Sequence, residues 1–136
     1  MIERIIAAAR AEIGTPFAHQ GRTPGIALDC AGLVVAVARA IGLPHNDDTG
    51  YGRSPANGLL ESALDGQPCL VRVATPEPGD VLLMRFQGDP QHLGIYTGET
   101  IIHAWQIVDR VCEHRMTAAW RQRVVRVYRF VEVANG

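Results

Sequence analysis

Apolar residues open the chain at helical spacing: Ile2, Ile5, Ile6, Ala9 and Ile13 fall on one face, and Gly14 followed by Pro16 predicts where this first helix stops. From 15 to 28, TPFAHQGRTPGIAL is rich in Gly and Pro and loses the periodicity, which predicts a loop. A second stripe follows, in which Leu33, Val34, Val37 and Ile41 share a face, Arg39 lies off it, and Gly42 with Pro44 ends it. Cys30 lies on that stripe one turn before Leu33 and Val34, and Asp29 is placed to cap the helix by accepting backbone N–H bonds. Residues 45–58, HNDDTGYGRSPANG, read as a polar loop, and LLESALDG after it as one short helix.

The pattern then changes. CLVRVA, DVLLMRF, LGIYT, TIIHAW, DRVCEH and VVRVYRFVEV are β-rich runs divided by turns at Pro78-Gly79 and Gly98-Glu99, with MTAAWRQ as a helical turn. Helices first and strands afterwards predict an α+β fold, with N-terminal helices packed on a central antiparallel sheet whose strands follow one another as a meander. There is no internal repeat and no low-complexity tract.

Composition narrows the classes. A chain of 136 residues with 47% hydrophobic residues has the size of one domain, expected to span 1–136. Its 13 basic and 14 acidic residues leave a net charge of −1, so neither a nucleic acid nor a membrane surface is an expected partner. The start, MIERIIAAARAEIG, is interrupted by Glu3, Arg4, Arg10 and Glu12. It lacks the apolar core of a secretory signal and is too short to span a membrane, so synthesis in the cytoplasm without a signal peptide is expected. Cys30, Cys69 and Cys112 are odd in number and follow no framework spacing, which argues against a disulfide scaffold.

Cys30 heads a helix, where unpaired amides and the helix dipole favour negative charge. A free cysteine titrates near ~8.5, and such a place beside an imidazolium brings it to roughly 3.5–7.5, so an appreciable thiolate is expected at neutral pH. If Gly98-Glu99 forms a two-residue turn, Thr97 faces Thr100, His92 faces Trp105 and Gly94 faces His103. Both histidines then share a sheet face as diagonal neighbours, roughly 7–8 Å apart at the backbone, with rings able to meet across the small Gly94. A thiol at a helix start, an imidazole to take its proton and a second ring to orient the first form a cysteine nucleophile's usual set. Each residue alone is more economically read as packing; their joint placement points to catalysis.

At these residues a resemblance is visible. DCAGLV at 29–34, PGDVLL at 78–83, HLGIY at 92–96 and IIHA at 101–104, preceded by GTPFAHQG at 14–21, resemble the NlpC-type papain-like cell-wall peptidases over almost the whole chain. The resemblance implies a papain-like domain that hydrolyses amide bonds in peptidoglycan stem peptides, with Cys30 as nucleophile, His92 as base and His103 as third polar residue. HQGR at 19–22 and the ending VCEHRMTAAWRQRVVRVYRF are most similar to the branch found in phage tail tips and gene transfer agents. That likeness implies delivery by a particle to the target cell wall and other tail-tip proteins as partners.

One departure concerns Phe17, which stands where many relatives carry a Tyr whose hydroxyl reaches the active site. Phe17 can pack against the nucleophile helix but cannot donate a hydrogen bond, so another donor, such as the Cys30 N–H, must serve the oxyanion, or turnover is slow. Phe17, Asp29 and His19 are the candidate substrate-binding residues. Asp29 is either the helix cap, the favoured reading, or a carboxylate pairing with a substrate amine. Asp80 is expected to hold a turn, and Cys69, Cys112, Trp105 and Trp120 are expected to pack. No cofactor is expected. Cys30, His92 and His103 could instead hold zinc, a weaker reading because no HExxH or paired CxxC spacing accompanies them. A different class of reading is a structural tail-tip module that has lost turnover.

Overall fold

The computed structural model describes residues 1–47, 58–86 and 90–132. Helix α1 (Ile2–Arg10) buries Ile5 and Ala9, as their spacing predicts. It ends one turn early: Ile13, expected on the buried stripe, is 46% exposed. The chain leaves helical geometry through Gly14 at φ +92°, whose N–H turns to the Val111 carbonyl.

The segment from 15 to 28, expected to be a loop, contains a small hairpin. Strands β1 (Arg22–Thr23) and β2 (Ala27–Leu28) pair antiparallel, while Pro16 and Phe17 bridge to Arg110 and Leu28. These pairings supply partners for backbone groups that cover the next helix, a requirement periodicity does not report.

Helix α2 (Cys30–Ala40) follows the sequence reading closely. Asp29 caps it, its Oδ1 accepting from the Gly32 N–H at 2.7 Å, and Leu33, Val34, Val37, Ala38 and Ile41 are buried. The loop crosses the helix start so tightly that a Cβ on Gly32 would lie 2.1 Å from the Gly21 carbonyl oxygen. Helix α3 (Leu59–Asp65) buries Leu60 and Leu64. Most of the polar loop expected over 45–58 lies outside the described residues.

Strands β3 (Leu70–Val73), β4 (Val81–Arg85), β5 (Pro90–Tyr96), β6 (Thr100–Trp105), β7 (Arg110–Arg115) and β8 (Val124–Phe130) form one antiparallel sheet. A short helix α4 (Ala118–Arg121) precedes β8. The order is β3-β8-β4-β5-β6-β7, so only β4 to β7 run as the expected meander. The last strand instead inserts between β3 and β4, pairing Leu70 with Phe130 and Val81 with Tyr128. Alternating apolar positions specify a strand's two faces; they leave its neighbours open.

Two apolar layers result. Leu93, Ile95, Ile102, Ala104 and Val111 share one face with the stripes of α1, α2 and α3. Leu82, Met84, Tyr96, Ile101 and Val127 form the second, with Phe86 and Trp120 packed against it. The Pro78-Gly79 turn holds as expected: Asp80 accepts from the Glu77 N–H at 2.8 Å and takes a two-point ion pair from Arg129. No helix among the described residues is long and apolar enough to cross a membrane.

Candidate active site

The start of α2 is built around Asp29, which is 3% exposed. Besides the Gly32 N–H, its carboxylate accepts from the Gln20 N–H at 2.9 Å and from Arg22 Nη1 at 2.8 Å. Arg22 reaches on to Asp47 at 2.7 Å. These are the contacts of a cap that also ties loop to helix, in keeping with the first of the two readings of Asp29. His19 lies in the turn closed by Gly21 N–H to Ala18 O, next to Gln20, whose φ of 60° aims its N–H at Asp29. Phe17 is half-buried against the helix-side core and donates its N–H to Asp109 O.

Cys30, half-buried, is the first residue of α2, and the backbone N–H groups of Leu93 and Ala31 lie in hydrogen-bonding relation to its sulfur. The contact with Leu93 sets the sulfur against β5, one residue along from His92. The expectation of a thiolate at neutral pH is not met. Loss of hydration, and next the Asp29 carboxylate, push the Cys30 thiol up to about 12, outweighing those N–H groups and Arg22. Burial prevails over the favourable field of the helix start, because the sulfur is packed by the same sheet that positions it.

The hairpin joining β5 to β6 has the predicted register: Thr97 N–H bonds to Thr100 O, Gly98 takes φ +106°, and Ile95 pairs with Ile102 and Tyr96 with Ile101. Among the described residues of the two strands, ladder pairing is found at these two positions. The hollow over Gly94 is filled by Ile101, whose Cδ1 would lie 2.5 Å from a Cβ there. The histidine rings nevertheless meet, His92 Nε2 lying 2.5 Å from His103 Nδ1. His103 is 0% exposed, and its Nε2 lies 2.8 Å from His114 Nε2. His114 Nδ1 in turn lies 3.0 Å from the Arg115 carbonyl.

Strand alternation puts His92 on the face of Met84, its partner, whereas α2 packs on the opposite face through Leu93.

His114 was not among the residues the sequence singled out. The β6–β7 register pairs His103 with Cys112, which makes His114 the diagonal neighbour on the same face. The signal was present in DRVCEH, but its register depends on a one-turn 3-10 helix, Gln106–Val108, and on Asp109 at φ 62°. Trp105 and Trp120 pack as expected, around the imidazoles: Trp105 stacks on His103 at 5.3 Å and Trp120 meets it edge-on at 5.2 Å. Phe86 meets His92 edge-on at 5.4 Å. Cys69 is buried in the core, and all three cysteines are free. Among the described residues no cluster of three or more His, Cys, Asp or Glu groups is disposed to hold a metal.

Burial holds His92 and His103 neutral. Loss of hydration, and then the charge of His114, push His92 down to about 4, and His103 is lowered further for the same first cause. An unfolded histidine takes up its proton near 6.5, and the native rings take theirs up only at much lower pH. Their contribution to stability is therefore full above pH 6.5 and is lost as pH falls toward 4. The melting temperature should be level between about pH 7 and 8 and fall steeply below about pH 6. A calorimetric series level down to pH 4.5 would contradict this.

A family model described as the NlpC/P60 family matches residues 14–129. The sequence is 35% identical over 100 residues to the "Probable endopeptidase" of Mycobacterium tuberculosis, covering 72% of this chain and 22% of that one. The chain thus spans less than a quarter of the length of that curated relative. Its fold is similar to an NlpC/P60 family protein from Bacillus cereus, with TM-score 0.67 and 18% identity over 93% of this chain and 39% of the other. It is also similar to the peptidoglycan hydrolase RipB from Mycobacterium tuberculosis, with TM-score 0.61 and 21% identity over 96% and 65%. The α+β architecture expected from the sequence is shared by these structures.

Proposed function

This chain belongs to the NlpC/P60 family, and from that premise we propose that it is a cysteine peptidase cutting amide bonds in peptidoglycan stem peptides, with Cys30, His92 and His103 as its catalytic set. The observation that carries the reading is the Leu93 N–H at the Cys30 sulfur, on the strand residue next to a His92 already tied to His103. On this reading the thiol held at the Leu93 amide meets the imidazole of the adjacent residue.

With a raised thiol and lowered imidazoles, the resting pair is neutral. Sγ attacks the substrate carbonyl carbon as the S–H proton passes to His92 Nδ1, so charge is absent from the resting pair and develops as the C–S bond forms. The Cys30 N–H makes no intrahelical bond and is available to the carbonyl oxygen as it becomes an oxyanion; Phe17 contributes no hydroxyl. His92, now protonated at Nδ1, gives that proton to the leaving amine nitrogen as the C–N bond breaks and a thioester remains. Water then adds to the thioester as His92 takes one proton from it; the C–S bond breaks, Sγ regains that proton from His92, and the product leaves as a carboxylic acid that ionises in solvent. His103 holds the His92 ring throughout. Phe17, His19 and Asp29 stand at the loop side of the helix start, where a stem peptide would lie.

The further setting, a phage or gene-transfer-agent tail component that opens the wall locally, rests on the HQGR segment and the C-terminal stretch. Mass spectrometry of muropeptides from purified sacculi tests the activity. New free amino and carboxyl ends within stem peptides, with glycan strands intact, are expected. Unaltered muropeptides would leave the structural tail-tip module as the better reading, and hydrolysis abolished by a zinc chelator would favour a metal at the same residues.

A further inference from the structure

His114 belongs to no part of the catalytic set above, yet it ends a row of three rings that begins at His92. We propose that His114 is a positioning residue: anchored on the Arg115 carbonyl, it sets the tautomers of the row so that His92 presents a bare Nδ1 toward Cys30. The inference rests on the Cys30–His92 reading and adds a residue to it.

A carbonyl oxygen only accepts, so at 3.0 Å from Arg115 O the His114 Nδ1 carries a hydrogen and donates. A neutral ring has one N–H, which leaves His114 Nε2 as an acceptor. His103 Nε2, 2.8 Å away, is then the donor of that pair. His103 Nδ1 is in turn bare and accepts from His92 Nε2, 2.5 Å away. With its single hydrogen on Nε2, His92 has its lone pair on Nδ1. Reversing the row would set a lone pair against the Arg115 carbonyl and put a hydrogen on His92 Nδ1, which could then take no proton from Sγ. One backbone oxygen at the sheet edge therefore determines the state of an imidazole two rings away.

Successive imidazoles in the row meet at 73° between planes, and neighbouring indoles pack against them. Trp105 lies against His103 with 26° between planes, and Trp120 meets both His103 and His114, the latter at 4.7 Å. His92 and His103 are buried, whereas His114 is half-buried and is held by two hydrogen bonds as well as by Trp120.

Long-range 1H–15N NMR on histidine-labelled protein at pH 8 reads the tautomers without relying on activity. The expected result is hydrogen on Nε2 of His92 and His103 and on Nδ1 of His114. In His114→Leu, which removes the acceptor, His92 should populate both tautomers, and kcat should fall about tenfold with KM nearly unchanged. His114→Gln, whose amide oxygen can accept from His103, should restore most of kcat and the His92 Nε2–H signal. Hydrogen on Nδ1 of His92 in the wild type, a His92 tautomer indifferent to His114→Leu, or a Gln variant no better than Leu would overturn the proposal. Hydrolysis surviving Cys30→Ala would instead refute the catalytic reading and leave the wild-type tautomers to be judged on the spectra alone.

Discussion

Cys30→Ala is expected to abolish release of stem-peptide fragments, a loss of at least about a thousandfold in kcat, while the protein keeps its fold. The chain has three free thiols, and their surroundings differ. Cys69 is buried in the helix-side core, and Cys112 stands opposite His103 on the β6–β7 pair with no helix start beside it. Only Cys30 combines a helix N-terminus with an amide donated by β5 from the residue next to His92. Cys69→Ala and Cys112→Ala should therefore retain turnover. Measured on purified sacculi at equal protein concentration, full activity in Cys30→Ala would remove the nucleophile from the account, and loss in Cys112→Ala alone would move it to another strand.

Gly32→Ala should cost about 3 kcal/mol of stability, although alanine in a helix interior ordinarily gains about 1 kcal/mol over glycine. The added methyl would sit 2.1 Å from the Gly21 carbonyl oxygen, with Asp29 Oδ1 at 3.2 Å and Arg22 Nη1 at 3.3 Å. The first of these is backbone in a turn already fixed by Gly21 N–H to Ala18 O, so no side chain can rotate to make room. Either the loop lifts from the helix, breaking the Gln20 N–H bond to Asp29, or α2 moves in its seat on the sheet. Both displace Cys30, so activity should fall with stability. Urea unfolding would show a lower midpoint; an unchanged or raised midpoint would mean that loop and helix are not packed as described.

Much of this site is legible in the sequence because it depends on short-range rules. Asp29 before an apolar stripe predicts both the cap and the position of Cys30, and the Gly98-Glu99 turn predicts the register that brings His92 and His103 to one face. What escapes is set at long range. The place of β8 between β3 and β4 depends on pairs such as Leu70 with Phe130, which no local pattern records. His114 escapes because one 3-10 turn decides which residue of β7 lies beside His103. The ionisation of Cys30 escapes for an energetic reason: the helix start favours a thiolate, but the desolvation imposed by packing on β5 is larger. Ile13 has a core residue's spacing and lies in water because the helix stops at Arg10.

The mechanism requires that the Cys30 sulfur, held at the Leu93 amide, meet the imidazole of the adjacent His92. A three-carbon bifunctional alkylating reagent such as 1,3-dibromoacetone, followed by peptide mapping, measures that meeting directly. One intramolecular bridge from Cys30 Sγ to the His92 ring is expected, absent from His92→Ala. Alkylation of Cys30 with no bridge, or a bridge from Cys30 to a different histidine, would contradict it.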